Sequence, residues 1–239
     1  MTEVLAHRGA STACRENTIE AFRLAAKLGS DAVELDVRRT VDGLLIVHHD
    51  AYLADGSAIV DLAAADLPGH IPDLSAALDA CDGMWVNVEI KNDPLEPDFD
   101  PTDSIAEQTM AALLQRGEDD RWLISSFRLE TVDRCKALAA DIRTAWLVME
   151  VPDDVIATMV SRGHAALHPW VGTLGRAHVD VCHGAGIDVN AWTCDDPLRM
   201  AELIEWGIDG ICTNVPDVAT QVIAGRLPTT DHTLRTGDG

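Results

Sequence analysis

Residues 6–50, AHRGASTACRENTIEAFRLAAKLGSDAVELDVRRTVDGLLIVHHD, contain the pattern that decides the fold. His7 and Arg8 directly follow a short apolar strand, an amphipathic helical segment comes next, and a second aliphatic strand carries Glu34 and Asp36. A strand, a helix and a further strand in this order are typical of a βαβ unit with parallel strands. Because the segment also concentrates polar side chains at strand ends, we interpret it as most of an active site.

The same alternation of strands and helices continues along the chain. Strands are predicted at residues 4–6, 32–37, 84–90, 122–125, 144–148, 165–168, 187–192 and 210–212. Helices are predicted at residues 18–28, 74–81, 104–116, 129–139, 152–161, 175–183, 197–205 and 215–224. This alternation predicts an α/β fold, the (β/α)8 TIM barrel. An extra strand, residues 44–49, completes a hairpin after the second barrel strand.

The domain organisation follows from the same pattern. Residues 1–225 are predicted to form a single barrel domain with a short insertion at about residues 51–70, and the polar residues 226–239 a flexible tail. Among the helix starts, Asn17 followed by Glu20 predicts an N-cap with a reciprocal partner. Two further caps are predicted at Asp73 and Asp196.

The composition excludes several classes of function. The chain has 40 acidic and 18 basic residues and a formal charge of −22, which disfavours nucleic acids and anionic membranes as partners. No segment approaches about 18 consecutive apolar residues, the length of a membrane span, and the first residues, MTEVLAHRG, do not resemble a signal peptide. The six cysteines form no CxxC pair, which favours a reducing compartment. We therefore expect a cytoplasmic protein with a small-molecule substrate, and the oligomeric state stays open.

Three acidic residues are placed to bind a cation. Glu34 and Asp36 are two apart on one strand and so face the same side. Glu89 has the same relation to the end of the next barrel strand, with Asn87 and Lys91 in phase with it. Neighbouring carboxylates repel unless they are protonated or bridged by a cation. Hard oxygen ligands suit Mg²⁺ or Ca²⁺ rather than zinc, so one divalent cation of this kind is predicted.

The hairpin decides which of two adjacent histidines faces these acids. If Asp42-Gly43 is a two-residue loop, its register pairs Asp36 with His49. Because directly paired residues share a face, His49 is then predicted beside the acids and His48 away from them. A loop that is one residue longer or shorter would exchange the two histidines. Asp50 would either orient the His49 imidazole or begin the next turn.

These groups together favour phosphodiester hydrolysis. The planar guanidinium of Arg8 suits phosphate oxygens, and Lys91 supplies a second positive charge. A cation on a phosphoryl oxygen stabilises the charge that develops during the reaction. One histidine can remove a proton while the other donates one to the leaving group, which predicts His7 and His49 as the catalytic pair.

The chain also resembles a known family in a series of short motifs that occur in family order and span nearly all of its length. They are AHRG (6–9), ENT (16–18), ELDVRRTVDG (34–43), HD (49–50), IPDLSAAL (71–78), VEIK (88–91), ISSF (124–127), AWT (191–193) and GIDGICTNVPD (207–217). Their joint occurrence is similar to that in glycerophosphodiester phosphodiesterases, which have a TIM barrel like that of phosphatidylinositol phospholipase C.

The resemblance implies hydrolysis of glycerophosphodiesters to sn-glycerol 3-phosphate and an alcohol. It implies the catalytic pair, the metal ligands and the phosphate ligands at the positions already predicted, with Phe127 and Trp192 in the substrate pocket. The alternative for these two aromatic residues is that they simply line the barrel. We further expect Glu16, Asn17 and Asp50 to support the site. Which histidine is the base is left open by the resemblance; our prediction is His7 as base and His49 as acid.

Three departures from the family pattern concern the substrate more than the chemistry. Arg15 and Asn214 stand where Pro and Asp are usual, and the segment after Asp50 lacks the usual Arg-Thr-Thr. The identity of the alcohol is therefore open. One alternative is a phosphodiesterase of the same fold that acts on lysophospholipids, which predicts an exposed apolar lip at the site. Another is a barrel that binds phosphorylated ligands without turnover, which predicts the loss of a histidine or a metal ligand.

Overall fold

Eight parallel strands form a closed barrel in the computed structural model, which describes residues 1–226. The strands of this part of the chain are β1 (Glu3–His7), β2 (Ala32–Arg39), β3 (Leu45–Val47), β4 (Trp85–Ile90), β5 (Trp122–Ser126), β6 (Arg143–Val148), β7 (Ala166–Pro169), β8 (Asp188–Ala191) and β9 (Gly210–Thr213). All except β3 run parallel, and the pairing of β1 with both β2 and β9 closes the ring. The short strand β3 lies outside the ring, antiparallel to β2.

A helix follows each barrel strand, after the hairpin in the case of β2. The helices are α1 (Ile19–Lys27), α2 (Leu74–Ala80), α3 (Ser104–Arg116), α4 (Leu129–Leu138), α5 (Val155–Arg162), α6 (Arg176–Gly184), α7 (Pro197–Glu205) and α8 (Pro216–Ile223). The predicted (β/α)8 barrel with an extra hairpin strand is thus confirmed, and the predicted elements differ from the observed ones only at their ends. The short insertion after the hairpin contains two single-turn 3-10 helices, Ile59–Asp61 and Ala64–Asp66. The predicted tail lies, beyond Arg226, outside the described residues.

The start of α1 differs from the prediction. Thr18, not Asn17, is the N-cap, and its hydroxyl accepts a hydrogen bond from the Ala21 amide. Asn17 instead adopts a left-handed conformation with a φ of 55°, and its side-chain amide donates to Asp36 Oδ2 at 2.8 Å. The prediction of Asn17 as the cap was therefore wrong by one residue, because Asn17 binds the site instead. The predicted caps Asp73 and Asp196 do accept backbone hydrogen bonds in the first turns of α2 and α7.

The hairpin register also differs from the prediction. The amide of Thr40 donates to the carbonyl of Leu44 at 3.0 Å, so the loop has three residues and ends with Gly43 at a φ of 85°. The predicted pairing of Asp36 with His49 was therefore wrong. It is the amide of His48 that donates to the Asp36 carbonyl, at 3.0 Å.

The core has an outer layer and an inner layer. Apolar residues between the strands and the helices form two large buried clusters around the ring. Inside the ring, small groups of apolar residues pack together, one of them containing Leu5 and Cys212. A Cβ added at Gly210 would lie 2.3 Å from Asn190 Oδ1, so the side chains inside the ring leave no space for a larger residue there. The barrel interior is therefore a packed core, and Leu5 and Cys212 form part of the floor of a cavity above it.

Two sequence expectations about the environment can be compared with this fold. None of the helices in residues 1–226 is both long and apolar enough to span a bilayer. The six cysteines are all free thiols, and five of them are buried. They contribute to packing in the described part of the chain and form no disulfide there.

Candidate active site

A cavity of about 220 Å³ opens at the carboxyl ends of the barrel strands. This is the end at which barrel enzymes place their reactive groups. Most of the site residues that the sequence predicted contribute to its wall: His7, Arg8, Glu34, His49, Glu89, Lys91, Phe127 and Trp192. Asp36 lies beside them and is almost completely buried. The structure therefore brings together residues that are far apart in the sequence.

The three predicted metal ligands form a compact cluster. Glu34, Asp36 and Glu89 are all buried, and each offers a carboxylate oxygen within 4.8 Å of the others. The β2–β4 register sets Asp36 directly beside Glu89. Glu34 Oε1 and Asp36 Oδ1 are buried and accept no hydrogen bond from the described residues. Because buried oxygens without a hydrogen bond are costly, this donor set fits a hard divalent cation.

The electrostatics of the cluster also favour a cation. Burial, together with Asp36 and Glu89, raises the pKa of Glu34 well above its usual value. Burial would also raise the pKa of Asp36, but the positive charges of Lys91 and Arg8 more than offset it and hold that pKa low. Lys91 and Arg8 thus favour the ionised form of Asp36, whereas burial and the neighbouring carboxylates favour a proton on Glu34 when no cation is bound. A bound cation would take the place of that proton.

Two basic residues cover the acids. Lys91 Nζ lies 2.8 Å from Glu89 Oε1 and 3.4 Å from Asp36 Oδ1. Arg8 Nε lies 3.4 Å from Asp36 Oδ2, and its guanidinium binds both oxygens of Glu16 at 3.0 Å. Glu16 and Asn17, expected as supporting residues, thus hold Arg8 and Asp36 respectively. These contacts place two positive charges at the cavity wall, where an anionic substrate group would lie.

Arg8 reaches this position because the chain turns sharply between β1 and α1. Its backbone is left-handed, with a φ of 57°, and Gly9 follows with a φ of 82°. A Cβ at Gly9 would lie 2.7 Å from the backbone carbon of Ala21. Only glycine allows α1 to approach this closely, and the approach brings its start to the site.

His7 is held by a residue that the sequence did not assign to the site. His7 Nδ1 lies 2.7 Å from Oδ1 of Asn214, in the loop after β9, and Nε2 lies 4.0 Å from Glu34 Oε2. Burial and the charge of Arg8 lower the pKa of His7. Asn214 drew notice in the sequence only as a departure from the family pattern, and the contact with His7 depends on the closure of the barrel between β9 and β1.

His49 lines the cavity although its predicted register was wrong. Strand β3 ends at Val47, so the direction of His49 is no longer set by the pleat. Instead, the fully buried Arg38 donates from Nε and Nη2 to the His49 carbonyl at 2.8 and 2.6 Å. His49 Nδ1 in turn lies 2.7 Å from Asp50 Oδ1, and this hydrogen bond lowers the pKa of Asp50. Asp50 is thus placed to orient the imidazole.

The sequence patterns identified Glu34 and Asp36 on β2 as metal ligands but assigned no role to Arg38. The signal was available, since Arg38 is in phase with Glu34 and Asp36 on the same strand. Its remaining nitrogen binds Asp98 at 2.6 Å, so a loop after β4 holds the guanidinium in place. His48 faces elsewhere, with Nδ1 2.8 Å from the carbonyl of Asp50.

Large apolar side chains also lie at this end of the barrel. A large apolar side chain directly follows each of the strands β5, β6, β7 and β8: Phe127, Met149, Trp170 and Trp192. The Phe127 and Trp192 rings pack edge to face with centroids 5.4 Å apart, and both line the cavity. Phe127 and Trp170 are 39% exposed and Met149 is 51% exposed. This end of the barrel thus has charged groups on β1, β2 and β4 and exposed apolar side chains after β5, β6 and β7, while His168 and Asn190 of β7 and β8 also line the cavity.

Known proteins share both the sequence pattern and this architecture. Residues 7–218 match the model of the Glycerophosphoryl diester phosphodiesterase family. The chain is 29% identical to the "Glycerophosphodiester phosphodiesterase" of Caldanaerobacter subterraneus subsp. tengcongensis, across 93% of this chain and 98% of that protein. It is 30% identical to the "Probable glycerophosphodiester phosphodiesterase 2" of Mycobacterium tuberculosis, across 93% of this chain and 90% of that one. A solved structure of an Oleispira antarctica phosphodiesterase with the product sn-glycerol-3-phosphate superposes with a TM-score of 0.83 and 27% identity, covering 94% of this chain and 97% of that one.

Proposed function

Because the chain belongs to the glycerophosphoryl diester phosphodiesterase family and is an enzyme of that class, we propose that it releases sn-glycerol 3-phosphate and an alcohol by metal-dependent, two-histidine catalysis. The observation that carries the proposal is the cavity that His7, His49, Glu34 and Glu89 line together, with Asp36 buried beside them in the same carboxylate cluster. The product held by the Oleispira antarctica phosphodiesterase supports sn-glycerol 3-phosphate as a product here. The first test is to incubate the protein with glycerophosphocholine and Mg²⁺ or Ca²⁺. Failure to release glycerol 3-phosphate from this or other glycerophosphodiesters would refute the proposal.

Glu34, Asp36 and Glu89 would hold the cation. When bound, a divalent cation supplies positive charge to a phosphoryl oxygen as negative charge develops on it. The donor set consists of carboxylates alone, which suits Mg²⁺ or Ca²⁺ and does not distinguish between them.

The two histidines have neighbours of different charge, which suits them for opposite roles. His7 is bound by a neutral amide and is buried beside Arg8, so it favours the uncharged form that a base needs. His49 is bound by the carboxylate of Asp50, which can accompany a positive charge on the ring. His7 therefore removes the proton of the attacking hydroxyl, from water or from the glycerol moiety. His49 donates a proton to the alcohol oxygen as its bond to phosphorus breaks. Arg8 and Lys91 attract the remaining phosphate oxygens.

The role of His7 predicts the acid side of the pH profile. A base acts only when it is unprotonated, so kcat/KM falls as the pH falls through its pKa. Because burial and Arg8 lower that pKa, we expect the midpoint of the acid limb below about pH 6.5, the usual pKa of histidine. The measurement is kcat/KM across the pH range at saturating metal. Samples held at each pH and then assayed at neutral pH control for unfolding. A midpoint above the usual histidine value would contradict this account of His7.

Arg38 holds the His49 carbonyl, so a substitution that disrupts these hydrogen bonds should lower turnover. Arg38→Lys keeps the charge but cannot make the paired hydrogen bonds to that carbonyl. We expect kcat to fall about 10- to 100-fold with a smaller change in KM, since a small misplacement of a catalytic group has an effect of this order. Arg39→Lys is the matched control, because Arg39 binds Ser104 and Asp100 instead. Equal activity of the two variants would remove Arg38 from the positioning of His49.

Exposed apolar side chains at the same end of the barrel favour a second candidate substrate class, lysophospholipids. The exposed side chains of Phe127, Met149 and Trp170 directly follow β5, β6 and β7, at the end of the barrel where such a substrate would need an apolar lip, rather than lying in the short insertion. The discriminating experiment compares kcat/KM for glycerophosphocholine and lysophosphatidylcholine in the wild type and in Met149→Ser. A selective loss with lysophosphatidylcholine would support the second candidate. A barrel that binds without turnover is set aside, because the family is enzymatic.

Two statements about the whole protein stay predictions. Residues 1–225 are proposed to form the complete catalytic domain, which expression of that segment and assay of its activity would test. The proposed cytoplasmic location would be tested by fractionation of cells that express the protein.

A further inference from the structure

A chain of hydrogen bonds extends from His7 away from the cavity. Asn214 Oδ1 lies 2.7 Å from His7 Nδ1, and Asn214 Nδ2 lies 2.7 Å from Asp195 Oδ2. The other oxygen of Asp195, Oδ1, accepts from the backbone amide of Asn214 and from the Thr213 hydroxyl, both at 2.8 Å. Asp195 therefore contacts the loop after β9 but does not touch the substrate cavity.

The Asp195 carboxylate, at the end of this chain away from His7, determines the direction of each hydrogen bond in it. The Asp195 carboxylate can only accept, so the group of Asn214 that faces it must be the NH₂. The amide oxygen of Asn214 then faces His7, and it also accepts from the Ser11 hydroxyl at 2.9 Å. Because that oxygen can only accept, Nδ1 of His7 must carry a proton. In neutral His7 the unprotonated nitrogen is then Nε2, which faces Glu34 in the cavity.

We propose that Asp195 and Asn214 are positioning residues that fix the tautomer of His7 and so present the Nε2 lone pair to the substrate. The consequence for catalysis rests on the proposed role of His7 as the base. The tautomer itself does not, because it follows from the hydrogen-bond directions alone.

A purely structural role would leave the tautomer unexplained. Anchoring the loop after β9 requires only that Asp195 bind the backbone amide of Asn214 and the Thr213 hydroxyl. An asparagine side chain could do this equally well through its oxygen. The oxygen of Asp195 that faces Asn214 is charged and carries no proton. These two properties matter only for the donor and acceptor directions of the hydrogen bonds that lead to His7.

The decisive variant is Asp195→Asn, which changes one atom at a position away from the reaction. The side-chain oxygen of the new asparagine can retain the hydrogen bonds from the Thr213 hydroxyl and from the backbone amide of Asn214. Its NH₂ group then faces the side-chain NH₂ of Asn214. The Asn214 side chain relieves this contact by turning over, which directs its NH₂ toward His7. Nδ1 of His7 must then accept, and the proton moves to Nε2.

The experiment measures the ring nitrogens of His7 directly. Protein labelled with ¹⁵N in its histidine rings is examined by NMR at about pH 8, where an unperturbed histidine is neutral, with and without Mg²⁺. The His7 signals are assigned from their absence in His7→Gln. We expect the Nδ1–H tautomer in the wild type and mainly Nε2–H in Asp195→Asn. We also expect kcat to fall on the order of 100-fold or more, since a wrong tautomer disables a histidine base, with KM changed less than kcat.

A reciprocal exchange is the matched control. In the double variant Asp195→Asn, Asn214→Asp, the new amide donates to the new carboxylate, which again accepts from His7 Nδ1. The Nδ1–H tautomer should return, with most of the lost kcat. An unchanged tautomer in Asp195→Asn, or no recovery of the tautomer in the double variant, would overturn the proposal. If instead His7→Gln keeps full activity while the tautomers change as expected, the proposed base fails and the positioning chain stands.

Discussion

His7→Ala and His49→Ala should each lower kcat for glycerophosphocholine by about 10²- to 10⁴-fold, the usual contribution of a positioned acid or base. His7 loses the Nε2 that faces the acids, and His49 loses the ring that Asp50 orients. Substrate affinity should change less, because Arg8 and Lys91 remain in place. The measurement is steady-state release of glycerol 3-phosphate at saturating metal, with the Tm of each variant recorded to confirm folding.

The neighbouring His48 provides the control for this pair. It is one residue from His49, but its ring binds the Asp50 carbonyl and is not part of the cavity wall. His48→Ala should therefore retain most of the wild-type kcat. Full activity in either His7→Ala or His49→Ala, or a loss with His48→Ala as large as theirs, would contradict the assigned pair. If His7 and His49 act as one unit, kcat of the double variant should be little lower than kcat of either single variant.

Removal of metal should abolish turnover and also destabilise the protein. After EDTA treatment we expect activity to fall to background and to return with Mg²⁺ or Ca²⁺. Because a cation that binds only the folded state stabilises it, about 2.7 kcal/mol is expected at a hundredfold excess over Kd. For a domain of this size that corresponds to a rise in Tm of roughly 5–10 °C. Differential scanning calorimetry of the metal-free protein with added cation measures this rise.

Glu89→Gln separates the metal site from general stability. The substitution keeps the shape of Glu89 but removes one negative charge from the carboxylate cluster. We expect the Tm increase with metal to shrink and the metal concentration for half-maximal activity to rise at least tenfold. Glu205→Gln, at an exposed position at the end of α7, should behave like the wild type. A full response to metal in Glu89→Gln would remove this carboxylate from the proposed ligand set.

The barrel could be predicted from the sequence because its signals are local. Each strand and helix has its own periodicity and end signals, and a misplaced helix boundary does not change the topology. The clustering of Glu34, Asp36 and Glu89 followed from the same local rules, since two lie in phase on β2 and the third is next to the last residue of β4. The family motifs added the expectation that these positions work together.

The hairpin shows where local rules were insufficient. The Asp42-Gly43 pair indicated a turn but did not determine whether the loop has two or three residues. The Thr40 side chain decides this, since it binds Asp42 at 2.6 Å and the Leu44 amide at 3.0 Å. His49 nevertheless reaches the cavity because Arg38 holds its carbonyl. A correct position was thus predicted for a wrong reason.

Contacts between distant parts of the chain were beyond the sequence patterns. Asn214 meets His7 across the seam where the last barrel strand joins the first, 207 positions apart in the chain. Asp195 belongs to a third segment, between β8 and α7. No spacing rule relates these three residues, and only the closed ring brings them together.

The separation of the proposed reactive groups from the exposed apolar side chains has a consequence for how new specificities can arise. The proposed reactive groups come from β1, β2, β4 and the hairpin, whereas Phe127, Met149 and Trp170 stand on loops that contribute none of these groups. Substitutions on those loops can therefore explore different alcohols without disturbing bond cleavage. Evolution, or a directed library at these three positions, can adjust the accepted leaving group while the catalytic half stays constant.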